Sequence, residues 1–355
     1  MVDGKLLKFV DRRIEGDLIY TSALPNTKLG GLMPSRQTIP LSLVHPKNAE
    51  LEYALLEIGT ITPSQNIQWR VKVNGISVTK EFHPQTICPA GRDFFAKSVY
   101  DITSILKTPE SLRKKRANIT FKLEGGESIV IEHLSILAIY RSEEAEGNIT
   151  FLSGALSLKP GEEASIDLKY SGQNNVFRTT LYMPSTIASG IIMINNNELI
   201  KIKNIQGIDE FYLELPDSFK EITNITIKHK EASTTYYPKE MRVSNILIYN
   251  IKYNAPDLVI EGLKEKYELT KENNEITLNI LNNGLSKPDN ALIVVMSLGN
   301  VVFRKRIKEL EPGDSVSEKV KINLPQGEYE LVVRVIWRKL SKTWFKDYRI
   351  KIFVK

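Results

Sequence analysis

The chain has 355 residues, 42 % of them hydrophobic and 25 % charged, with a net charge of +6. That balance excludes a long disordered tract, and a single cysteine, Cys88, excludes an intramolecular disulfide. The length points to two or three domains, and no apolar stretch reaches the roughly 20 residues that a membrane-spanning helix needs. The first residues, Met1 to Arg13, hold neither an apolar export core nor a small-residue cleavage site, so no export signal is expected on the chain as it stands.

Strand signals then follow one another. Ile39 to Ile58 reads as two alternating strands around a polar turn. Trp69-Arg-Val-Lys-Val alternates and ends in Asn74-Gly75, a hairpin signal. Val99 to Leu106 reads as a strand running into a short loop, and Asn118–Leu123 and Ile136–Tyr140 as two further strands. Val73-Asn-Gly75, Asp101-Ile-Thr103 with Leu106, and the Asn118-Ile-Thr-Phe-Lys-Leu123 strand together resemble the galactose-binding-like and related jelly-roll sandwiches. A first sandwich is expected over residues 1–142. Glu143-Glu-Ala-Glu-Gly147 is a polar connection that closes it.

The same series returns over residues 148–253. Ala164 to Met183 matches the two-strand unit, and Ile191–Asn195 matches Val71–Asn74. Phe211–Leu215 matches Val99–Thr103, Asn224–Lys228 matches Asn118–Lys122, and Ile246–Tyr249 matches Ile136–Tyr140. Four pieces in one order predict a duplicated sandwich.

Asn254-Ala-Pro-Asp257 is a second connection, in which proline fixes an extended turn. The two-strand unit appears a third time at Glu275 to Met296. With Pro256–Val259, Asn282-Asn-Gly284, Leu310-Glu-Pro-Gly313 and Gly327–Leu331, this region resembles the CARDB family, an immunoglobulin-like module associated with cell adhesion. The resemblance implies an immunoglobulin-like domain over residues 256–355. It departs at the end, where Arg334-Val-Ile-Trp-Arg338 and further lysines replace an acidic, Asn-rich stretch. Helical signals are confined to Pro109–Arg116 and Pro216–Phe219. The fold class expected is all-β, with three β-sandwich modules in series, two of them related and jelly-roll-like and one immunoglobulin-like.

Local catalytic motifs do not occur. His45, His83, His133 and His229 stand singly, without the spacing of a zinc site. There is no nucleophile elbow, Walker loop, dinucleotide fingerprint or calcium loop, and Glu50/Glu52 and Asp209/Glu210 are carboxylate pairs in sequence only. Cys88 reads as a loop thiol with no identifiable activating triad. No catalytic residue, cofactor or metal is therefore assigned.

Candidate contact residues gather elsewhere. Trp69 and Trp337 alternate like core residues, whereas Trp344 flanks a basic turn and Tyr236 and Tyr237 precede Pro238. Arg338, Lys339 and Lys342 complete the candidate interaction set, in a basic C-terminal run that reads as two edge strands. Asn118, Asn148 and Asn224 begin glycosylation acceptor sequences, which matter only outside a cell. The abundance of Lys, Ile, Glu and Asn with a single cysteine suggests a thermophilic, archaeal source. These readings converge on a non-enzymatic structural or interaction protein, displayed on a virus particle or a cell envelope. Its expected partners are other protein subunits, in a homo-oligomer or a larger assembly, and nucleic acid is not expected. A carbohydrate-binding protein, or the accessory module of a polysaccharide enzyme, is the competing expectation, with a glycan as partner.

Overall fold

The computed structural model describes residues 2–65, 67–125, 127–230, 240–270, 274–307 and 310–355. It is all-β, and its antiparallel sheets form β-sandwiches in series. Two compact units emerge: residues 1–45, 50–141 and 146–251 make the first, and residues 46–49, 142–145 and 252–355 the second. Among the described residues no helix is long and apolar enough to cross a membrane.

The first unit opens with β1 (Asp3–Ile14). The first repeat then runs through β2 (Gly16–Ala23), β3 (Thr27–Leu29), β4 (Arg36–Ser42), β5 (Glu50–Thr62), β6 (Trp69–Val73) and β7 (Ile76–Thr79). It continues with β8 (Thr86–Ala90), β9 (Asp93–Asp101), helices α1 (Thr103–Leu106) and α2 (Pro109–Arg113), β10 (Arg116–Leu123) and β11 (Ile129–Arg141). The second repeat comprises β12 (Ala145–Leu158), β13 (Glu163–Ser171), β14 (Val176–Met183), β15 (Gly190–Ile194) and β16 (Asn197–Ile202). It ends with β17 (Gly207–Glu214), β18 (Glu221–His229) and β19 (Met241–Tyr253).

The duplication is visible strand by strand. One sheet of the first repeat has the order β4-β10-β6-β7, and its counterpart has the order β13-β18-β15-β16. The other sheets run β2-β11-β5-β9 and β12-β19-β14-β17 in the same sense. Even the turns agree. Asn74 and Gly75 have φ of 52° and 92°, and Asn195 and Asn196 have 50° and 63°, the pair of positive values that a type I′ hairpin requires. Asn74 Oδ1 accepts from the Asn118 amide at 3.1 Å, and Asn195 Oδ1 accepts from the Asn224 amide at 3.3 Å.

Additions break the symmetry, among them the short β3, which pairs with β11 beside β2. β8 extends the first repeat's sheet, and β1 extends the second's by pairing with β12 from Asp3↔Ser157 to Ile14↔Gly147. The N-terminal strand thus joins the sheet of the second repeat, although it precedes the first. The two sheets β2-β11-β5-β9-β8 and β1-β12-β19-β14-β17 pack face to face through Val10, Leu55, Leu137, Ile139, Phe151 and Leu247. The reverse face of the second packs on β13-β18-β15-β16 through Leu156, Phe177, Ile192, Ile225 and Ile246. On the first, Leu56, Ile58, Leu134 and Ile136 are likewise buried. Strands β5, β11, β12 and β19 are therefore covered on both faces, which is why they read as nearly unbroken apolar runs.

The second unit is a smaller sandwich. It is built from β20 (Leu258–Glu261), β21 (Lys266–Leu269), β22 (Glu275–Asn282), β23 (Asn290–Ser297), β24 (Asn300–Ile307), β25 (Ser315–Lys321), β26 (Gly327–Lys339) and β27 (Lys342–Val354). Sheets β20-β22-β25 and β21-β27-β26-β23-β24 enclose a core that includes Leu278, Ile293, Val333 and Trp337.

Each two-strand unit read from sequence turns out to be a corner between sheets rather than a hairpin. β4 and β5, β13 and β14, and β22 and β23 lie in different sheets in every case. Other differences are local. The segment after β9 forms α1 instead of a loop. Cys88 lies buried in β8, not in a loop. The basic run is not a pair of edge strands, because β26 lies between β23 and β27.

Candidate functional site

Three places in the chain gather polar chemistry. The first lies between the two face-to-face sheets of the first unit. Period-two alternation points Leu55, Glu57 and Gly59 of β5 to one side and Leu56 and Ile58 to the other, so one carboxylate is carried into the sheet interface. Lys97 arrives from β9, His133 and Ser135 from β11, Ser153 from β12 and Asn245 from β19.

Glu57 is fully satisfied there. Its Oε1 accepts from Lys97 Nζ at 2.7 Å and from Ser153 Oγ at 2.6 Å. Its Oε2 accepts from Ser135 Oγ at 2.6 Å and from Asn245 Nδ2 at 2.7 Å. Asn245 Nδ2 also donates to Tyr20 Oη at 3.0 Å. Burial by itself would raise the Glu57 carboxyl, but Lys97, His133 and these donors bring it down to about 2. Burial lowers Lys97, with Glu57 opposing. His133 is lowered to about 3, first by burial and then by the neighbouring Lys97 charge. Lys97 Nζ stands 3.0 Å from His133 Nδ1, so an ammonium donor there fixes the ring proton on Nε2. Close by, Arg242 pairs with Glu132 at 3.0 Å and covers the rings of Tyr182 and Phe95. Cys88 packs on Phe95 and Ala155, and burial pushes its thiol up to about 12.

An acid, a base and an amine so close together resemble catalytic machinery, yet Lys97 is only 1 % exposed and His133 is fully buried. The hydrogen bonds of Glu57 to Ser153 and Asn245 cross from one face-to-face sheet to the other. The signal for this cluster in the sequence is ionisable residues set into apolar runs, Glu57 in Leu55-Leu-Glu-Ile58, Lys97 at the end of Phe94-Phe-Ala-Lys97, and Glu132 with His133 in Ile131-Glu-His-Leu134.

The second place is the surface of the C-terminal unit, where most of the candidate contact residues fall. Trp344 is half-buried, edge-on to Tyr253 with ring centres 5.6 Å apart. Arg338 is half-buried and donates from Nε to the Leu340 carbonyl at 2.6 Å, and Lys342 is exposed. Lys339 does not belong with them. It is 1 % exposed, and its Nζ donates to Glu144 at 2.8 Å and to the Lys287 carbonyl at 3.2 Å. At a buried position on β26 its charge serves the unit itself. Tyr236 and Tyr237 lie outside the described residues. Trp69 and Trp337 are core residues, as their alternation predicts.

The same surface carries apolar side chains that sequence reasoning missed. Phe345 is 59 % exposed beneath the Arg334 guanidinium, which forms a two-pronged pair with Asp347 at 2.6 and 2.7 Å. Leu298, at the β23–β24 turn, is 89 % exposed. A groove of about 470 Å³ runs over β21, β27 and β26, lined by Tyr267, Glu268, Tyr329, Glu330, Lys351 and Phe353 among others. The third place is a basic sheet face in the first repeat, formed by Arg36, Arg70, Lys72 and Lys122.

Comparison with known proteins bears on the C-terminal unit. The sequence model of the CARDB family matches residues 255–336, within the C-terminal region that resembles it. No curated protein sequence matches the chain. Among solved structures, a β-glucuronidase from Parabacteroides merdae is 9 % identical at a TM-score of 0.23, over 59 % of this chain and 28 % of that one. Peptide:N-glycanase F is 9 % identical at a TM-score of 0.25, over 66 % of this chain and 99 % of the other. The glycoside hydrolase domain of Endo-D from Streptococcus pneumoniae is 10 % identical at a TM-score of 0.22, over 64 % and 40 %. Likenesses at this level carry no argument about fold or chemistry.

Proposed function

We propose that the chain is a non-catalytic interaction protein displayed on a surface, a subunit of a virus-particle spike or of a cell-envelope layer. In this reading the duplicated sandwiches form a rigid body, and the CARDB-like unit makes contacts. The observation that carries it is the distribution of side chains. The residues best suited to chemistry, Glu57, Lys97 and His133, are spent on joining sheets, whereas Phe345 and Leu298 stand in solvent on the C-terminal unit. Exposed apolar groups with an adjoining arginine and tryptophan are typical of protein contact surfaces.

Light scattering across a concentration series tests this. A closed oligomer is expected, weakened by Phe345→Asp and Leu298→Asp. A strict monomer at all concentrations, for the parent chain, overturns the assembly reading.

A second reading, glycan binding, is favoured by one specific observation, the basic, hydroxyl-bearing sheet face of the first repeat.

A further inference from the structure

The outer face of the sheet β4-β10-β6-β7 carries cations that its own carboxylates do not neutralise. Alternation sends Ile39, Val71, Ile119 and Phe121 into the core and leaves Arg36, Thr38, Arg70, Lys72, Thr120 and Lys122 on the outside. Antiparallel register sets these in two rows. Arg36, Lys122 and Arg70 stand side by side across three strands, and Thr38, Thr120 and Lys72 form the row next to them. Strands lie about 4.8 Å apart and residues two apart along a strand about 7 Å, so the four cations occupy a patch of roughly 10 by 7 Å.

Glu124 is the carboxylate at this patch, 2.8 Å from Arg70 and 3.5 Å from Lys122. Among the described residues, neither Arg36 nor Lys72 has an ion-pair partner. Thr38 and Thr120 share a hydrogen bond of 2.9 Å between their hydroxyls. A shallow cavity of about 170 Å³ opens among Arg36, Arg70, Lys72, Thr120 and Lys122.

We propose that this sheet face binds acidic glycans, with Arg36, Arg70, Lys72 and Lys122 holding sulfate or carboxylate groups and the threonines meeting sugar hydroxyls. Guanidinium groups offer planar paired donors to such anions, and ammonium groups add point charges. Single-stranded nucleic acid is disfavoured because β4, β10 and β6 present no aromatic ring outward on which a base could stack. Duplex DNA is disfavoured because the basic residues lie on the face of a sheet and not on a helix that could enter a groove. The proposal rests on reading the chain as an interaction protein, but it uses a different surface from the C-terminal contacts.

The test is calorimetric titration of the full chain with four probes: a heparin-derived octasaccharide, octagalacturonate, neutral maltooctaose and a thymidine oligonucleotide. Saturable binding of the octasaccharide, of octagalacturonate or of both is expected; since both carry carboxylates, binding of the octasaccharide alone marks recognition of sulfate. Maltooctaose should not bind. Arg36→Gln/Lys72→Gln should weaken binding roughly tenfold or more, while Lys203→Gln/Lys220→Gln, exposed on the second repeat, should leave it unchanged. Thermal melts establish that each variant is folded, and Lys72→Gln by itself serves with a smaller loss if the double variant is not. Failure of both acidic glycans to bind, equal weakening by the two double variants, or oligonucleotide binding as tight as the octasaccharide's overturns the proposal. The oligomeric state is read separately, so failure of the assembly reading and failure of the glycan site are distinguishable.

Discussion

Glu57 receives donors from four strands other than its own, two of them, β12 and β19, in the facing sheet. Removing one member of a buried pair leaves a charge without compensation, which costs about 3–5 kcal/mol. Lys97→Met is therefore expected to lower stability by that amount, and Lys97→Met/Glu57→Leu to recover much of it. Urea unfolding checks both, and an unchanged midpoint for the single variant contradicts the network. The pH dependence has a definite sign. His133 is held at about 3 in the fold against an ordinary 6.5, so the unfolded chain takes up its proton first as pH falls. The stability it contributes is complete above pH 6.5 and is lost progressively toward pH 3. Between pH 7 and pH 5 this amounts to on the order of 2 kcal/mol, and His133→Gln should flatten the slope by that much. Little of the network is legible in the sequence. Charged residues interrupting apolar runs mark its members one at a time, but their meeting depends on strands up to 188 positions apart. The core roles of Trp69 and Trp337, by contrast, follow from local alternation.

Strands were more legible than single side chains. The four pieces that predict duplication occupy equivalent sheet positions in both repeats, because alternation and turn chemistry are local. What alternation does not reveal is which sheet a strand joins. The three two-strand units therefore read as strands around a turn, with nothing to mark each turn as a corner between sheets, and β1 reads as part of the first sandwich. Its actual seat depends on Gly154 of β12, where a Cβ would stand 2.1 Å from the Lys5 carbonyl oxygen and 2.9 Å from Leu6 Cα. Gly154→Ala must push β1 outward, at about 1–3 kcal/mol. Faster amide exchange in β1 and along its β12 partner, with a lowered melting temperature, is the expected result. Unchanged exchange there would mean that β1 is not held by this close approach.

At the level of the whole chain, the all-β class and the CARDB-like region follow from the sequence directly, since turn residues and period-two patterns announce them. The packing of both repeats into one compact unit does not, because a strand covered on both faces looks the same whichever sheet covers it. The second repeat should accordingly fail to fold alone. Residues 145–253, expressed separately, would expose Ile149, Phe151 and Leu247 together with Asn245, and leave the β12 edge without β1. A dye-binding, poorly dispersed species is expected in solution NMR. A well-dispersed spectrum from this fragment would show the repeats to be independent.

The pairing of β1 with β12 also sets an order of events during synthesis. More than a hundred residues separate the two strands, so at ordinary translation rates β1 waits on the order of ten seconds for its partner. Throughout that interval it is a strand without its partner. Its sequence suits the wait: Asp3, Lys5, Lys8, Asp11, Arg12 and Arg13 put a charge on half of its twelve positions, which keeps a lone strand from recruiting another chain.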